Sequence, residues 1–330
     1  MNICIVTGSS GLIGSESVRF FSAKGFKVIG IDNNFRAHFF GKNGDTSWVK
    51  NQLKEKFKNF KHYNCDVRDK KKITNIFKKF SNDIKIVVHC AGQPSHDWAY
   101  KNPLLDFEIN ANGTLNLLQS FKKYSPKAVF INLSTNKVYG DNPNNLKFVE
   151  KKLRYDLPKN HEFFYGIDEK MSIQNCIHSL FGVSKLSGDL MVQEYGKNFG
   201  LKTVSFRAGC LTGPMHSGAE LHGFLSFLVK QIVSKKKYYI FGYKGKQVRD
   251  NLHSFDLVNA FWSFYKSPRS GEIYNIGGSR KSNCSILEAI EIIENLTNIK
   301  ANYKILKNNR VGDHKWWISN IQKFKKHYPD

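Results

Sequence analysis

The amino-acid sequence predicts an α/β fold: a doubly wound parallel sheet carrying a smaller α/β lobe. Three observations lead there. Short, continuously apolar runs alternate with segments of helical spacing through the first half of the chain. A glycine-rich turn follows the first of those runs. Beyond residue 209 the texture changes to short strands mixed with helices.

Taken in order, "NICIVTG", "FKVIGID", "FKHYNCDV", "IKIVVHCAG" and "KAVFINLST" read as strands. Their apolar runs do not alternate with polar residues, which is the pattern of strands buried on both faces. Between them "LIGSESVRFFSAKG", "KKITNIFKKF" and "PLLDFEINANGTLNLLQSFKKY" show helical spacing. A further helix is expected over 179–199 ("SLFGVSKLSGDLMVQEYGKNF"), followed by the strand "LKTVSFRAG". These elements define a first domain, residues 1–209. Residues 210–330 open with the Gly/His-rich loop "GCLTGPMHSGAELHG" and continue with the strands "YYIFG" and "GEIYNIGG" and the helices "SFDLVNAFWSFYK" and "SILEAIEIIENLT". They form mainly the smaller lobe, with room for segments that return to the first domain.

Composition narrows the class. The 330 residues are 41% hydrophobic and 14% aromatic with 8 prolines, which excludes a disordered chain. No apolar run reaches the length of a membrane span, and the N-terminus runs straight into a strand, so a cytoplasmic protein without a membrane partner is expected. The six cysteines lie far apart, with no C-x-x-C pair and no histidines at metal spacing, which points to reduced thiols and no metal. The formal charge of +24 raises the question of nucleic acid. Its lysines are scattered through amphipathic segments, and no nucleic-acid motif accompanies them. Solvated faces and attraction of anionic ligands account for them better, and no nucleic-acid partner is expected.

The glycine-rich turn "TGSSGLIG" places Gly8, Gly11, Leu12, Ile13 and Gly14 between the first strand and the first helix. A tight turn, backbone approach to a pyrophosphate and helix–strand packing each disfavour a Cβ there. Asp32 closes the second strand, followed by Asn33, where a ribose-binding carboxylate belongs. Such a carboxylate repels a 2′-phosphate and predicts NAD; Arg36 nearby is the feature that would suit NADP. Asp66 and Val67 after the third strand, and Ala91, Gly92 and Gln93 after the fourth, lie at the same carboxyl edge of the sheet. Together these features make the predicted sheet Rossmann-type.

The motifs as a set resemble the extended short-chain dehydrogenase/reductase family of NAD-dependent nucleotide-sugar epimerases and dehydratases. The resemblance runs from "TGSSGLIG" through "STNKVYGD", "FGVSK", "GKQVRDNLHSFDLV" and "YNIGG" to "RVGD". "AGQPSHDWA", "DFEINANGTLNLL" and "LSTNKVYGD" make it nearest to the CDP-paratose (CDP-tyvelose) 2-epimerase branch. The family resemblance implies oxidation of a sugar alcohol by NAD and reduction of the transient ketone on its other face. It implies that Thr135 hydrogen-bonds the reacting hydroxyl and that Lys185 holds the nicotinamide ribose. The residue four before Lys185, a tyrosine acid/base in the family, is Phe181. His178, Phe181 and Lys185 would share one face of a continuous helix, which makes His178 a candidate stand-in base near the helix N-terminus. Dehydratases of the family carry an Asp-Glu pair after the threonine; here Asn136 and Lys137 follow, so epimerisation is expected.

For the substrate-binding lobe, the resemblance implies that Arg249 and Arg310 grip a diphosphate and that Asp313 accepts from the nucleoside. Paired guanidinium hydrogen bonds suit that role. His96 in "QPSHDWA", and Glu220 with His216 and His222 in "GPMHSGAELHG", should flank the sugar, and a three-histidine metal site is not expected. The expected partner is a CDP- or UDP-sugar, the expected reaction C2 epimerisation of a CDP-deoxyhexose in surface-polysaccharide synthesis, and the expected assembly a homodimer. The alternative is a non-catalytic protein that binds NAD and a nucleotide sugar, because of Phe181.

Overall fold

In the computed structural model, which describes residues 2–218, 223–310 and 312–329, seven parallel strands form the central sheet. They are β1 (Ile3–Thr7), β2 (Lys27–Ile31), β3 (Phe60–Tyr63), β4 (Ile84–His89), β5 (Val129–Thr135), β6 (Lys202–Ala208) and β7 (Glu272–Ile276). Their order across the sheet is β7-β6-β5-β4-β1-β2-β3, so the chain winds outward from β1 in one direction and then, after β3, crosses over to β4 and winds in the other. The helices that make the crossovers are α1 (Leu12–Ala23), α2 (Ser47–Lys56), α3 (Lys70–Phe80), α4 (Gly113–Tyr124), α5 (Ser179–Phe199) and α6 (Ser254–Lys266).

The apolar strand runs are explained by burial on both faces. In β1, Cys4 and Val6 join one core cluster with Val18 and Phe21 of α1, Val49 and Leu53 of α2, and Leu257 and Phe261 of α6. Ile3 and Ile5 join another with Ile73 and Phe77 of α3, Leu117 and Phe121 of α4, and Val192 and Tyr195 of α5. All four β1 residues are fully buried. Successive side chains of a strand point to opposite faces, so each face needs its own apolar set.

The last sheet strand comes from beyond residue 209. Once α6 has packed on α1, β7 adds alongside β6, and Tyr274 and Phe264 complete the first core cluster. The smaller lobe is built around the strand Val248–His253. That strand pairs antiparallel with Asn283–Ser285 and parallel with Trp316–Trp317 and Cys210–Thr212. Beside it, Tyr238–Phe241 and Tyr303–Leu306 form a second parallel pair, packed with the helices Phe224–Val233 and Ile286–Thr297.

Two departures from the sequence reading bear on the site. The helix expected over "PLLDFEINANGTLNLLQSFKKY" is interrupted by a π-helical turn, Glu108–Asn112, which re-aims Asn110. And although α5 has the expected bounds 179–199, Ser179 at its start has φ +61°, in the left-handed region that breaks helical continuity with residue 178. His178 therefore does not lie on a shared face with Phe181 and Lys185.

Among the described residues no helix is long and apolar enough to cross a membrane. No group of three or more His, Cys, Asp or Glu among them is arranged to hold a metal, and the six cysteines are free thiols.

Candidate active site

A cleft with about 470 Å³ of space runs from the glycine-rich turn, across the carboxyl ends of β4 and β5, to the smaller lobe. One end of it is a cradle for a dinucleotide. Gly8 has φ +65°, and a Cβ there would lie 2.8 Å from the Ala91 nitrogen; a Cβ on Gly14 would overlap the Gly8 carbonyl oxygen. The turn thus needs glycine at both places, and α1 starts directly behind it at Leu12 with no acidic residue in its first turn. Free N–H groups at such a helix start favour an anion.

Asp32 lines the same end. Its two carboxylate oxygens accept from the Ser10 N–H at 2.9 Å and the Asn34 N–H at 2.7 Å, fixing it against the glycine turn. Asn33 donates to Asp66 at 2.9 Å, and Asp66 also receives three hydrogen bonds from Arg68, two from the guanidinium at 3.0 and 2.8 Å and one from the backbone N–H at 2.8 Å. Burial pushes the Asp66 carboxyl up, but the Arg68 bonds outweigh it and hold it below its usual range. Arg68 lies over the Phe35 ring, so Phe35, Phe39, Asp66 and Val67 give this end an aromatic wall with a fixed carboxylate. Arg36 also lines the cleft; it donates to the Ser217 carbonyl at 2.7 Å and lies over Phe40, which ties it to the smaller lobe.

The middle of the cleft rests on a buried polar scaffold. Ala91, Gly92 and Gln93 line it, but the Gln93 side chain turns away, donating to Asp106 at 2.7 Å and to the Ser95 carbonyl at 2.8 Å. Asn110, aimed by the π turn, accepts from Gln93 N–H at 2.9 Å and donates to Asp106 and to Ser184 Oγ of α5. Burial raises the Asp106 carboxyl to about 6. Asn110 and Asp106 escaped the sequence reading; the available signal was polar residues set within the apolar spacing of "DFEINANG".

Thr135, at the end of β5, and Lys185 and Phe181, one turn apart on α5, face this middle section. Lys185 Nζ donates to the Leu133 carbonyl at 2.9 Å, and burial lowers its pKa. Phe181 is 6% exposed, and its ring meets His96 edge-to-face at 4.8 Å. His96 shares a hydrogen bond with Ser179 Oγ at 2.9 Å. Burial, with the Lys137 charge adding to it, lowers His96 to about 3 and keeps it neutral. His178 is not part of the cleft lining. Its imidazole is engaged with the Ile173 carbonyl at 2.8 Å and with Cys176, so the helix-face argument for it as a base fails on the turn at Ser179.

At the far end stand Arg249, Arg310, Asp313 and Lys137. Arg249 is ion-paired with Asp313, while Arg310 pairs with Asp97 at 2.8 Å and lies over the Phe241 ring. Lys137 Nζ donates to the Gly312 carbonyl at 2.9 Å and sits 3.9 Å from Asp313. Burial pushes the Asp313 carboxyl up, but Arg249 and Lys137 outweigh it and hold it well below the carboxylate range. Burial lowers Lys137 to about 7, with Arg249 and Arg310 acting in the same direction and Asp313 opposing. Tyr238, Tyr239 and Phe241 also wall this end; their strand was read from the sequence without its place in the cleft. Glu220 and His222 lie outside the described residues. His216 lines the cleft and shares a hydrogen bond with Ser226 at 3.0 Å.

Fold and cleft together define an α/β protein with a dinucleotide cradle at one end of its cleft and a cluster of paired charges at the other. Comparison with known proteins makes that class specific. Residues 4–277 match the NAD dependent epimerase/dehydratase family. The CDP-paratose 2-epimerase of Salmonella typhi is 32% identical over 97% of this chain and 91% of its own. A UDP-glucuronate 4-epimerase of Thermodesulfobacterium geofontis is 30% identical over 99% of this chain and 90% of its own. Among solved structures, a Bacillus cereus UDP-glucuronic acid 4-epimerase in complex with UDP-glucuronic acid and NAD superposes with TM-score 0.77 at 26% identity, covering 100% of this chain and 93% of that one. The chain belongs to the NAD-dependent epimerase/dehydratase family, and NAD is its cofactor.

Proposed function

We propose that the protein is an NAD-dependent nucleotide-sugar epimerase that inverts C2 of a CDP-deoxyhexose through a transient keto sugar, in surface-polysaccharide synthesis. The observation that carries this reading is the continuity of the cleft, which joins the glycine cradle and Asp32 to the Arg249/Arg310 end through Thr135, Phe181 and Lys185. In this reading Gly8, Gly11, Leu12, Ile13 and Gly14 hold the pyrophosphate, Asp32 and Asn33 the adenosine ribose, and Asp66 and Val67 the adenine. Lys185 and the Ala91–Gln93 backbone hold the nicotinamide half. NAD, when bound, supplies the oxidation of the carbinol and the matching reduction. Thr135 orients the reacting hydroxyl; Arg249 and Arg310 grip the sugar nucleotide's diphosphate.

Two features support epimerisation over dehydration and CDP over other bases. Asn136 and Lys137 follow Thr135, so the cleft lacks a carboxylic acid and carboxylate side by side at that point for eliminating water. The relative named for CDP-paratose 2-epimerisation matches along nearly the full chain. Six free thiols suit the reducing cytoplasm. An apolar stripe on α5, with Leu180, Val183, Leu190 and Met191 each 40–45% exposed, supports a homodimer.

Phe181 favours a second reading, a binding protein for NAD and a nucleotide sugar that does not turn over. The two are separated by supplying NAD with CDP- and UDP-sugars and following sugar epimers by NMR, with binding measured by calorimetry. Epimer formation supports the enzyme; tight binding without epimer or reduced cofactor supports the binding module.

A further inference from the structure

The cleft is lined by a largely buried lysine, Lys137, two residues beyond Thr135. We infer that Lys137 supplies the acid/base function at the position facing Phe181, taking the proton of the reacting sugar hydroxyl on its side-chain amine and returning it. The inference rests on the epimerase reading.

The geometry selects Lys137 among the described residues that line the cleft. It lies two residues beyond Thr135, to whose Oγ1 its backbone N–H donates at 3.3 Å; its Nζ is held by the Gly312 carbonyl, and Gly312 abuts the His96 ring that packs on Phe181. Across from it, the Lys137 carbonyl lies against Gly182 of α5, next to Phe181; a Cβ there would be 3.0 Å away. The side chain is 15% exposed. Rivals are otherwise engaged. His96 is neutral, with one ring nitrogen committed to Ser179. His216 is bonded to Ser226 in the opposite lobe. Cys210 is pushed up to about 12 by burial. Tyr238 and Tyr239 belong to the separate two-stranded pair of the smaller lobe.

The charges facing Lys137 are set for proton exchange. Arg249, Arg310 and the Asp313 carboxylate surround it, with Cys210 also in range, and His96 and His314 feel its charge. Asp313 favours the ammonium from 3.9 Å, but its shorter ion pair is with Arg249. The neutral amine can donate one N–H to the Gly312 carbonyl and still offer its lone pair to a substrate hydroxyl. With a pKa of about 7, both protonation states are populated at neutral pH, as general acid/base catalysis requires.

The step balances. In the forward half the hydroxyl O–H bond breaks and its proton goes to the Lys137 lone pair. The O–H electron pair forms the C=O bond, and the C–H electron pair leaves with its hydrogen as hydride to the oxidised nicotinamide of NAD. In the return half hydride adds to the other face of the carbonyl carbon, and the Lys137 ammonium gives its proton back to the oxygen. No net proton or electron is consumed.

The test compares the parent with Lys137→Arg, Lys137→Met and the double variant Lys137→Met/Phe181→Tyr. Arginine keeps a fixed positive charge but cannot exchange a proton near neutrality. Expected are at least a roughly 10²-fold loss of turnover in both single variants, sugar binding within about threefold of the parent for Lys137→Arg, and partial recovery of turnover in the double variant. The parent's kcat/KM should rise with pH through about 7. Independently of turnover, 13C-lysine-labelled parent should show one Cε resonance titrating near 7 that is absent from Lys137→Arg. Turnover retained in Lys137→Arg, or no lysine titrating below about pH 9, overturns the inference while leaving the epimerase reading standing. A parent that binds CDP-sugars and NAD but forms no epimer overturns both.

Discussion

At the scale of single residues, the site is decided by a few charges whose partners are already in place. Asp32 is fixed by two backbone N–H groups and faces the cradle, so NAD should raise the melting temperature of cofactor-stripped protein more than NADP at equal concentration, by mass action on the folded state. Asp32→Ala should narrow that difference; equal stabilisation of the parent by both cofactors would contradict the assignment. Arg249→Ala and Arg310→Ala should each weaken nucleotide-sugar binding by about 1.5–3 kcal/mol in calorimetry and spare NAD, since each removes a charge-assisted bond. They should differ in stability. Arg249 is the ion-pair partner of Asp313 in the cleft, so its loss strands a carboxylate, whereas Arg310 pairs with the more exposed Asp97. Lys137 gives a pH signature as well. Its folded pKa, about 7, lies below its ordinary 10.5, so the unfolded chain holds the extra proton between those values and stability rises with pH across that window. Lys137→Met should therefore raise the melting temperature, by more at about pH 6 than at about pH 9. An equal shift at both would mean that the amine is not buried in the folded state.

At the scale of elements, what the sequence could and could not disclose has physical causes. The parallel strands were legible because double-sided burial leaves a continuous apolar run, as in β1 and β4. The cradle was legible because Gly8 and Gly14 serve a local turn. The backbone turn at the entry to α5 was not legible, since spacing alone cannot reveal that Ser179 takes φ +61°, and that one dihedral removes His178 from the face of Phe181 and Lys185. His178→Asn should accordingly leave epimer formation unchanged and lower stability by about 1 kcal/mol, the worth of its bond to Ile173; a large loss of turnover would return His178 to the site. The setting of Lys137 was hidden for a different reason: Gly312, which accepts from its amine, lies 175 residues away in the chain. The ion pair of Asp313 with Arg249, and its approach to Lys137, were hidden for the same long-range reason. Gly14→Ala should abolish NAD binding, because its Cβ would overlap the Gly8 carbonyl that shapes the cradle; retained NAD affinity would mean that the cofactor does not bind against this turn.

At the scale of the whole molecule, the cleft beyond the glycine cradle is assembled from both parts of the chain. Lys137 and Phe181 come from the large sheet and its helix, while Arg249, Arg310 and Asp313 come from the smaller lobe around Val248–His253, itself followed by α6 and β7 returning to the sheet. A sugar nucleotide spanning that junction would bridge the two parts. The excess of positive charge, +24 over the chain, favours such an anionic ligand and should make its capture weaken as salt rises. The central claim is that one carbon of a nucleotide sugar is oxidised and then reduced within this cleft without release. The direct measurement is turnover of the CDP-sugar panel in deuterium oxide with NAD supplied, reading deuterium at the inverted carbon by NMR and mass spectrometry. The expected result is an epimer that keeps protium at that carbon, because the same hydride leaves and returns. An epimer carrying solvent deuterium there would mean inversion by deprotonation, and no epimer from any bound sugar would mean that the cleft binds without reacting; either contradicts the claim.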